Sequence, residues 1–236
     1  MTNRDTAAVL VCAGNATRMR GIHKILHQLG DSFVLETVVE KFAQAESIAE
    51  VIIVCRQQDM EEFTFAVKRL RTLPPRIAVT AGGATRQESV RKGVALVSGD
   101  CKYVAIHDGA RPLVSPADIE RVIAAARSSH AATLGVPVKD TIKTVENGII
   151  TGTPERAKLW QTQTPQVFER TLYRQAMELA EKAGKDYTDD CQLVEATGQP
   201  VSMIEGSYRN IKLTTPEDFL IAEAFLGAEE NGGTTE

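Results

Sequence analysis

The sequence predicts an α/β fold in which a mainly parallel, twisted sheet is flanked by helices. Short β-rich runs alternate with helical patterns along the 236 residues, as in a parallel sheet wrapped by helices. The first run, residues 7–12, is apolar at almost every position, which is typical of a strand covered on both faces. Small-residue loops follow the first and third runs, at the strand ends where such sheets bind ligands.

Hydrophobic spacing predicts the other elements. Further strands are expected where apolar residues cluster, at residues 51–55, 77–79, 103–106, 131–138 and 201–204. Helices are expected at residues 34–42, 59–71, 86–97, 116–127, 169–182, 188–196 and 215–226. Ser115 and Pro116 are suited to cap and begin the fourth helix. Residues 1–236 are expected to form a single domain, with a polar, disordered tail at 227–236.

The alternation of strands and helices is interrupted after residue 138. Residues 141–145 and 149–151 flank Asn147 and Gly148, a pair that supports the positive φ angles of a tight hairpin turn. A hairpin inserted here has little local core to cover it. We therefore expect residues 137–165 to form an inserted β-arm that packs on a second subunit, giving a homodimer. A hairpin that is simply solvated is the alternative.

Composition argues against several classes of partner and location. The formal net charge is −4, so there is no basic field to attract nucleic acid. No apolar run approaches the ~18 residues of a membrane span, and the first residues lack the apolar region of a signal peptide. The four cysteines form no C-x-x-C pair. We interpret them as free thiols of a reducing compartment and expect a cytoplasmic protein.

The loop after the first strand is the first candidate for ligand binding. Small residues such as Ala13 and Gly14 let backbone N–H groups approach a phosphate, while Arg18 and Lys24 add positive charge. The loop is not a Walker A motif, and Ala16 stands where a dinucleotide-binding fingerprint has its second glycine. A tight strand-to-helix turn without a ligand is the alternative.

A second candidate is the pair Gly82 and Gly83, which follows the third strand and precedes a helix. Two glycines at this place form a corner to which an anion or a base has close access. Ser89, on the first turn of the helix, either hydrogen-bonds a nucleotide or faces water.

A third candidate follows the fourth strand. Asp108 stands at the strand's carboxyl end, where a single carboxylate suits Mg²⁺, which prefers few protein carboxylates together with phosphate oxygens. A turn-stabilising pair between Asp108 and Arg111 is the structural alternative. His107 is interpreted as a positioning residue beside Asp108 rather than as a general base.

A fourth candidate is Lys212, in a strand-like stretch between Ile211 and Leu213. Because side chains alternate along a strand, Lys212 is expected to point away from the core and into the cleft. His23 and His27 have the spacing of metal ligands on a helix, but no third ligand lies near them, so we predict no metal site there.

Together these segments resemble the 2-C-methyl-D-erythritol 4-phosphate cytidylyltransferase family of the non-mevalonate isoprenoid pathway. The matching motifs, in the family's order and spacing, are Cys12-Ala13-Gly14 to Arg18-Met19 with Lys24, Gly82-Gly83 to Arg86 with Ser89, His107 to Pro112, Val138 to Lys143, Trp160 with Gln163 to Gln166, Thr188 to Asp190, and Asn210 to Lys212. The resemblance implies a Rossmann-like sheet of the nucleotidyltransferase type with a protruding β-hairpin arm. It also implies transfer of a cytidylyl group from CTP to 2-C-methyl-D-erythritol 4-phosphate, with release of pyrophosphate.

The resemblance implies roles for the matching residues. Contacts with the CTP phosphates are implied for Ala13, Gly14, Arg18, Lys24 and Lys212. Arg18, Lys24 and Lys212 are the implied catalytic residues. Further nucleotide contacts are implied for Gly82, Gly83, Ser89, Asp108 and Gly109, with Asp108 also the Mg²⁺ ligand. Binding of the polyol phosphate is implied for Arg111, Thr141, Arg156 and Thr164, of which Thr141 and Arg156 serve the other subunit.

Four positions depart from the family pattern. Val11 and His23 each replace a usual proline, Ala16 replaces a glycine, and Ala84 replaces a residue that is often acidic. None of these changes removes a charged group that the chemistry requires.

Other functions are compatible with parts of the sequence. The nearest is a ribitol 5-phosphate cytidylyltransferase on the same fold, followed by a sugar-phosphate nucleotidyltransferase that uses UTP or GTP. A catalytically inactive nucleotide-binding regulator would be favoured if the basic residues or Asp108 were missing, and they are present. A dehydrogenase is disfavoured by Ala16 and by the lack of an acidic residue closing the second strand, Val51 to Cys55.

Overall fold

The fold is described from a computed structural model for residues 3–14 and 24–230. Along the chain its elements are β1 (Thr6–Val11), β2 (Gln28–Leu29), β3 (Ser32–Phe33), α1 (Val34–Ala43), β4 (Ile48–Cys55), α2 (Met60–Val67), β5 (Arg76–Ala81), α3 (Arg86–Ala95), β6 (Tyr103–Asp108), α4 (Pro116–Ser129), β7 (Ala131–Pro137), β8 (Thr144–Glu146), β9 (Ile149–Gly152), β10 (Trp160–Glu169), α5 (Arg170–Lys182), α6 (Asp190–Glu195), β11 (Ser202–Glu205) and α7 (Pro216–Glu230).

The central sheet has seven strands in the order β11-β7-β10-β6-β1-β4-β5. All neighbouring pairs are parallel except those of β10, which runs antiparallel to both β6 and β7. The predicted mainly parallel sheet is therefore confirmed. Because β1 lies between β4 and β6, the carboxyl ends of these three strands meet at one edge of the sheet, where a ligand can reach them.

Helices cover both faces of this sheet, which explains the apolar character of β1. Ala8 and Leu10 belong to a core cluster with α1, α2, α4 and α7, whereas Val9 packs into a second cluster with α3, α5 and α6. All three side chains are fully buried. A polar residue at any of these positions would lose water without gaining a partner, so alternation is absent.

Two helix starts are fixed by side-chain caps. Ser115 Oγ accepts the Asp118 backbone N–H at 3.0 Å, and Pro116 is the first residue of α4, as predicted. Thr85 Oγ1 accepts the Glu88 N–H at 3.1 Å at the start of α3. The second cap places the N-terminus of α3 directly after the glycine corner that ends β5.

Strands β8 and β9 form a two-stranded sheet of their own. Asn147 has a φ of 50° and Gly148 a φ of 80°, as the Asn-Gly pair predicted. Ile149 and Ile150 are 70% and 61% exposed, so the described part of the chain leaves these two apolar side chains largely uncovered. Residues 160–165 of the expected arm lie in β10, whose first residues pair with β7 in the central sheet.

Other details also differ from the predictions. Strand β10 was not expected, since its first half is polar and Pro165 weakens any strand pattern. The stretch around Lys212 is an irregular segment rather than a strand. Helix α7 continues to Glu230, so residues 227–230 of the expected disordered tail are helical, while 231–236 lie outside the described residues. Within the described ranges, no helix has the length and apolar character needed to cross a membrane.

Candidate functional site

The carboxyl ends of β1, β5 and β6 border a cavity of about 250 Å³. Its walls include residues from five separate stretches of the chain: Cys12, Ala13, Gly14, Lys24, Gly83, Arg86, Ser89, Asp108 and Lys212. The structure therefore brings together most of the residues predicted to bind the nucleotide. Arg18, also predicted there, lies outside the described residues.

A larger cavity of about 380 Å³ lies between α3 and α5. Its polar walls include Arg91, Arg170 and Arg174, and none of the predicted site residues reaches it. We place the functional site in the smaller cavity because it lies at the carboxyl ends of β1, β5 and β6, and because its walls bring Asp108 together with Lys24, Arg86 and Lys212.

The glycine corner after β5 is shaped by Ser89. A Cβ atom on Gly82 would lie 2.6 Å from Ser89 Oγ and 2.9 Å from the Ala13 side chain, so only glycine fits. The Gly83 N–H donates to Ser89 Oγ at 3.0 Å, and this hydroxyl donates to the Thr85 carbonyl at 2.8 Å. Ser89 is 2% exposed, so its hydroxyl holds the corner open rather than facing water.

Gly109 allows a second close approach, between the ends of β1 and β6. A Cβ atom on Gly109 would lie 2.4 Å from Cys12 Sγ. The Gly109 N–H also donates to the Val11 carbonyl at 3.0 Å, which joins the two strand ends by backbone alone. Gly109 thus lets the loop after β1 lie beside Asp108.

Asp108 is the electrostatic centre of the cavity. Its Oδ2 atom lies 2.7 Å from Lys212 Nζ and 3.9 Å from Arg111 Nε, and Oδ1 lies 3.7 Å from Arg86 Nη2. Burial alone would raise the pKa of the carboxyl, but the attraction of Lys212, Arg86 and Arg111 outweighs it and holds the pKa of Asp108 well below its ordinary value. Asp108 is therefore ionised, and the three positive charges of Lys212, Arg86 and Arg111 outnumber its single negative charge.

Lys24 adds a further positive charge beside this group. Its Nζ atom donates to the Leu213 carbonyl at 3.1 Å, which brings it next to the segment that carries Lys212. Ile211 is partly buried, Leu213 is fully buried, and Lys212 is exposed, so Lys212 points outward as predicted although its segment is not a strand. A cavity with this excess of positive charge is suited to a polyphosphate.

Arg86 is a cavity residue to which the motifs assigned no role. Its Nη1 atom lies 2.7 Å from Asp190 Oδ2, and Asp190 Oδ1 accepts the Tyr173 hydroxyl at 2.6 Å. Asp190 is 2% exposed, so Arg86 is held by a buried carboxylate on one side while it faces Asp108 on the other. In the sequence, Arg86 follows Gly83 by three residues. This place after a strand end could have identified Arg86 as a residue of the cavity.

His107 and Thr164 lie beneath the floor of the cavity. Thr164 Oγ1 is 3.0 Å from both His107 Nδ1 and the Asp108 backbone N–H, and His107 Nε2 is 3.0 Å from the Arg111 carbonyl. Burial lowers the pKa of His107 to about 4. The imidazole is therefore neutral near pH 7, in agreement with a positioning role.

Thr141 and Arg156 do not reach the cavity of their own chain. Both are exposed in the segment that carries β8 and β9, where Arg156 Nη1 donates to the Lys139 carbonyl at 2.9 Å. The described chain therefore does not bring these two predicted substrate-binding residues to Asp108.

The carboxylate content of the site limits the metal it can hold. Across residues 3–14 and 24–230, no group of three or more His, Cys, Asp or Glu side chains is arranged to hold a metal ion. Among residues 3–14 and 24–230, Asp108 is the one carboxylate in the cavity wall. This donor set fits Mg²⁺, which accepts one or two protein carboxylates when phosphate oxygens and water supply its other ligands.

Comparisons with known proteins identify the family and the fold. The family model for 2-C-methyl-D-erythritol 4-phosphate cytidylyltransferase matches residues 6–228. The protein of that name from Desulforamulus reducens is 42% identical over 224 residues, covering 94% of this chain and 96% of its own.

Solved structures show the same fold. The 4-diphosphocytidyl-2C-methyl-D-erythritol synthase of Anaerococcus prevotii aligns with a TM-score of 0.82 at 28% identity, covering 94% of this chain and 98% of its own. The 2-C-methyl-D-erythritol 4-phosphate cytidylyltransferase of Thermus thermophilus aligns with a TM-score of 0.76 at 33% identity, covering 92% and 97%.

Proposed function

The chain belongs to the 2-C-methyl-D-erythritol 4-phosphate cytidylyltransferase family, and we propose that the cavity at the ends of β1, β5 and β6 is where it transfers a cytidylyl group from CTP to 2-C-methyl-D-erythritol 4-phosphate. One observation carries the assignment of the site. The ionised carboxylate of Asp108 lies among Lys212, Arg86 and Arg111 at the strand edge, with Lys24 beside them.

The reaction needs electrostatic help more than it needs a base. An oxygen of the substrate phosphate attacks the α-phosphorus of CTP, and the bond from that phosphorus to the bridging oxygen of pyrophosphate breaks. A phosphate monoester has a second pKa of roughly 6, so the nucleophile is largely dianionic near neutral pH. The protein must offset the repulsion between two anions and stabilise charge around the phosphorus.

The residues around the cavity divide this work. Backbone N–H groups of the loop after β1, at Ala13 and Gly14, approach the triphosphate, and Lys24 contacts it with its ammonium group. The corner of Gly82 and Gly83 receives the cytosine base. Arg18 is assigned to the triphosphate by the family resemblance alone.

Lys212 is proposed to contact the α-phosphate. Its ammonium pairs with Asp108, and its side chain is 44% exposed at the cavity. The α-phosphate of CTP would be a second anion beside the Lys212 ammonium. Because Asp108 already holds this ammonium in place, Lys212 is positioned where negative charge develops during transfer.

Asp108 is the proposed protein ligand for Mg²⁺. When bound, this ion neutralises charge on the triphosphate and orients it for in-line attack. Asp108 also holds Lys212 and Arg86 close to the same point, so one carboxylate organises both the proposed metal site and the cations.

The test of the function is pyrophosphate release by the purified protein with CTP and Mg²⁺. We expect release with 2-C-methyl-D-erythritol 4-phosphate and little with ribitol 5-phosphate, UTP or GTP. A reaction without polyol phosphate controls for CTP hydrolysis. Release only with ribitol 5-phosphate would instead assign the enzyme to that substrate, and release with neither polyol would contradict the proposed transfer.

The exposed hairpin supports a homodimer in which each arm completes the other subunit's site. Ile149 and Ile150 are largely exposed, and the polar residues Thr141 and Arg156 lie away from their own cavity. Packing of the arm on a second copy would cover the apolar residues. It would also bring Thr141 and Arg156 to the partner's polyol phosphate.

Subunit mixing tests this arrangement. Arg156→Ala and Lys212→Ala homodimers are each expected to be nearly inactive. A random mixture should recover about one quarter of wild-type activity, because half of its dimers are mixed and each mixed dimer has one intact site. The matched control mixes Lys24→Ala with Lys212→Ala, whose defects both lie in the cavity, and no recovery is expected. Absence of recovery in the first mixture, with subunit exchange verified, would contradict the shared site.

A cytoplasmic location is part of the proposal. Its support is that Cys12, Cys55, Cys101 and Cys191 are all buried free thiols, as expected in a reducing compartment.

A further inference from the structure

We propose that Thr164 and His107 form a hydrogen-bond chain of fixed direction that positions Asp108 and Arg111 for the transfer reaction. Thr164 is then a positioning residue, and its hydroxyl does not donate to the substrate phosphate. The inference rests on the proposed function and refines the role that the family resemblance implies for Thr164.

The direction of the chain follows from its two ends. His107 Nε2 lies 3.0 Å from the Arg111 carbonyl, which can only accept, so Nε2 carries the proton. The ring is fully buried and its two nitrogens contact only a carbonyl and a hydroxyl, so the imidazole is neutral and Nδ1 is a bare acceptor. Thr164 Oγ1, 3.0 Å away, therefore donates to Nδ1. The Asp108 backbone N–H can only donate, and Thr164 Oγ1 accepts it at 3.0 Å.

Burial makes this chain costly to break. His107 is fully buried and Thr164 is 5% exposed, so water cannot replace a lost partner. The imidazole also packs edge-on against Phe42, with ring centroids 4.9 Å apart, which restricts its rotation. A buried group left without its partner would have to shift the backbone to find another one.

The chain holds both ends of the turn that carries the charged groups. It begins at the N–H of Asp108 and finishes at the carbonyl of Arg111, while the Arg111 N–H donates to the Asp108 carbonyl across the turn at 3.0 Å. A shift at either end would move the carboxylate of Asp108 relative to Lys212.

Thr164 also connects this turn to the segment that carries Lys212. Its carbonyl accepts Asn210 Nδ2 at 3.0 Å, and the Asn210 carbonyl accepts Arg111 Nη1 at 2.7 Å. Asn210 is fully buried. Thr164 is therefore hydrogen-bonded to the segment that carries Asp108 and Arg111 and to the one that carries Lys212.

The hydrogen-bonding positions left on the Thr164 hydroxyl exclude a hydrogen bond from it to the substrate phosphate. A threonine hydroxyl has one hydrogen and two acceptor positions. In Thr164 the hydrogen goes to His107 and one acceptor position to Asp108, so only an acceptor position is left. A phosphate dianion has no hydrogen to give, and direct binding would break the bond to His107.

The kinetic test compares Thr164→Val with Thr164→Ser. The valine variant keeps the shape but loses the hydroxyl, and we expect kcat to fall by ~10- to 100-fold while KM for the polyol phosphate changes less than about threefold. The serine variant should restore most of the lost kcat. A large rise in KM for the polyol phosphate with kcat preserved would show direct substrate binding and overturn the proposal.

The NMR test detects the hydrogen-bond chain directly and does not depend on a measurement of activity. In ¹⁵N-histidine-labelled wild-type protein, His107 should carry its proton on Nε2 and none on Nδ1, with the signal assigned by its loss in His107→Gln. The Nδ1 shift should change in Thr164→Val and return in Thr164→Ser. Protonated Nδ1 in the wild type would overturn the proposal even if Thr164→Val fails to fold. If the wild type shows the expected histidine signals but is inactive, the proposed function would be contradicted while the hydrogen-bond chain through Thr164 and His107 would stand.

Discussion

Replacing Lys212 with alanine is expected to lower the turnover of pyrophosphate release by about 10²-fold or more. Lys212 brings a preorganised positive charge to the point where the α-phosphate would lie, and loss of one such contact has an effect of this order. The ammonium group is held there by Asp108 at 2.7 Å, so it does not have to be ordered during the reaction. Lys24→Ala should show a loss of the same order, because Lys24 lies beside the same segment.

The measurement is kcat for each variant at saturating CTP and polyol phosphate. Lys182→Ala is the matched control, since Lys182 is an exposed lysine at the end of α5 and lies outside the walls of the cavity. It should retain wild-type turnover. Rates near wild type in both Lys24→Ala and Lys212→Ala would refute the catalytic roles of these two residues.

Replacing Asp108 with asparagine should have a comparable or larger effect, with turnover reduced by ~10²- to 10³-fold. The asparagine keeps the size of the side chain but removes the charge that would bind Mg²⁺ and that now holds Lys212, Arg86 and Arg111. Without this anion, the three cations repel one another and lose their common position.

The Mg²⁺ dependence of turnover identifies the role of Asp108. We expect Asp108→Asn to need a higher Mg²⁺ concentration for half-maximal activity and not to regain wild-type kcat at saturation. Asp118→Asn serves as the control, because Asp118 pairs with Arg121 on α4 and lies outside the walls of the cavity. An unchanged Mg²⁺ requirement in Asp108→Asn would show that this carboxylate is not the metal ligand.

Much of the sheet could be predicted because its signals are local. The apolar run of β1 reflects burial on two faces, and Ser115 with Pro116 marks the start of α4. Asn147 and Gly148 determine the hairpin turn through their own φ angles. Each of these features depends on a few neighbouring residues, so the pattern is present in the sequence itself.

Strand β10 shows where local patterns fail. Its polar first half and Pro165 do not predict a strand, yet it pairs with β6 and β7 in the middle of the sheet. The pairing is decided by the neighbouring strands, which supply backbone partners and cover its buried second half. A local pattern contains no information about those neighbours.

The sequence by itself determined most of the strands and helices, β10 excepted, together with the small-residue loops at the strand ends and the charged residues available for phosphate chemistry. Only the tertiary structure decided how these residues act on one another. Arg86 and Asp190 meet across 104 positions, and Thr164 and His107 across 57. Such bonds depend on distances of a few ångströms, which packing of the whole sheet and its helices sets and which spacing along the chain does not contain.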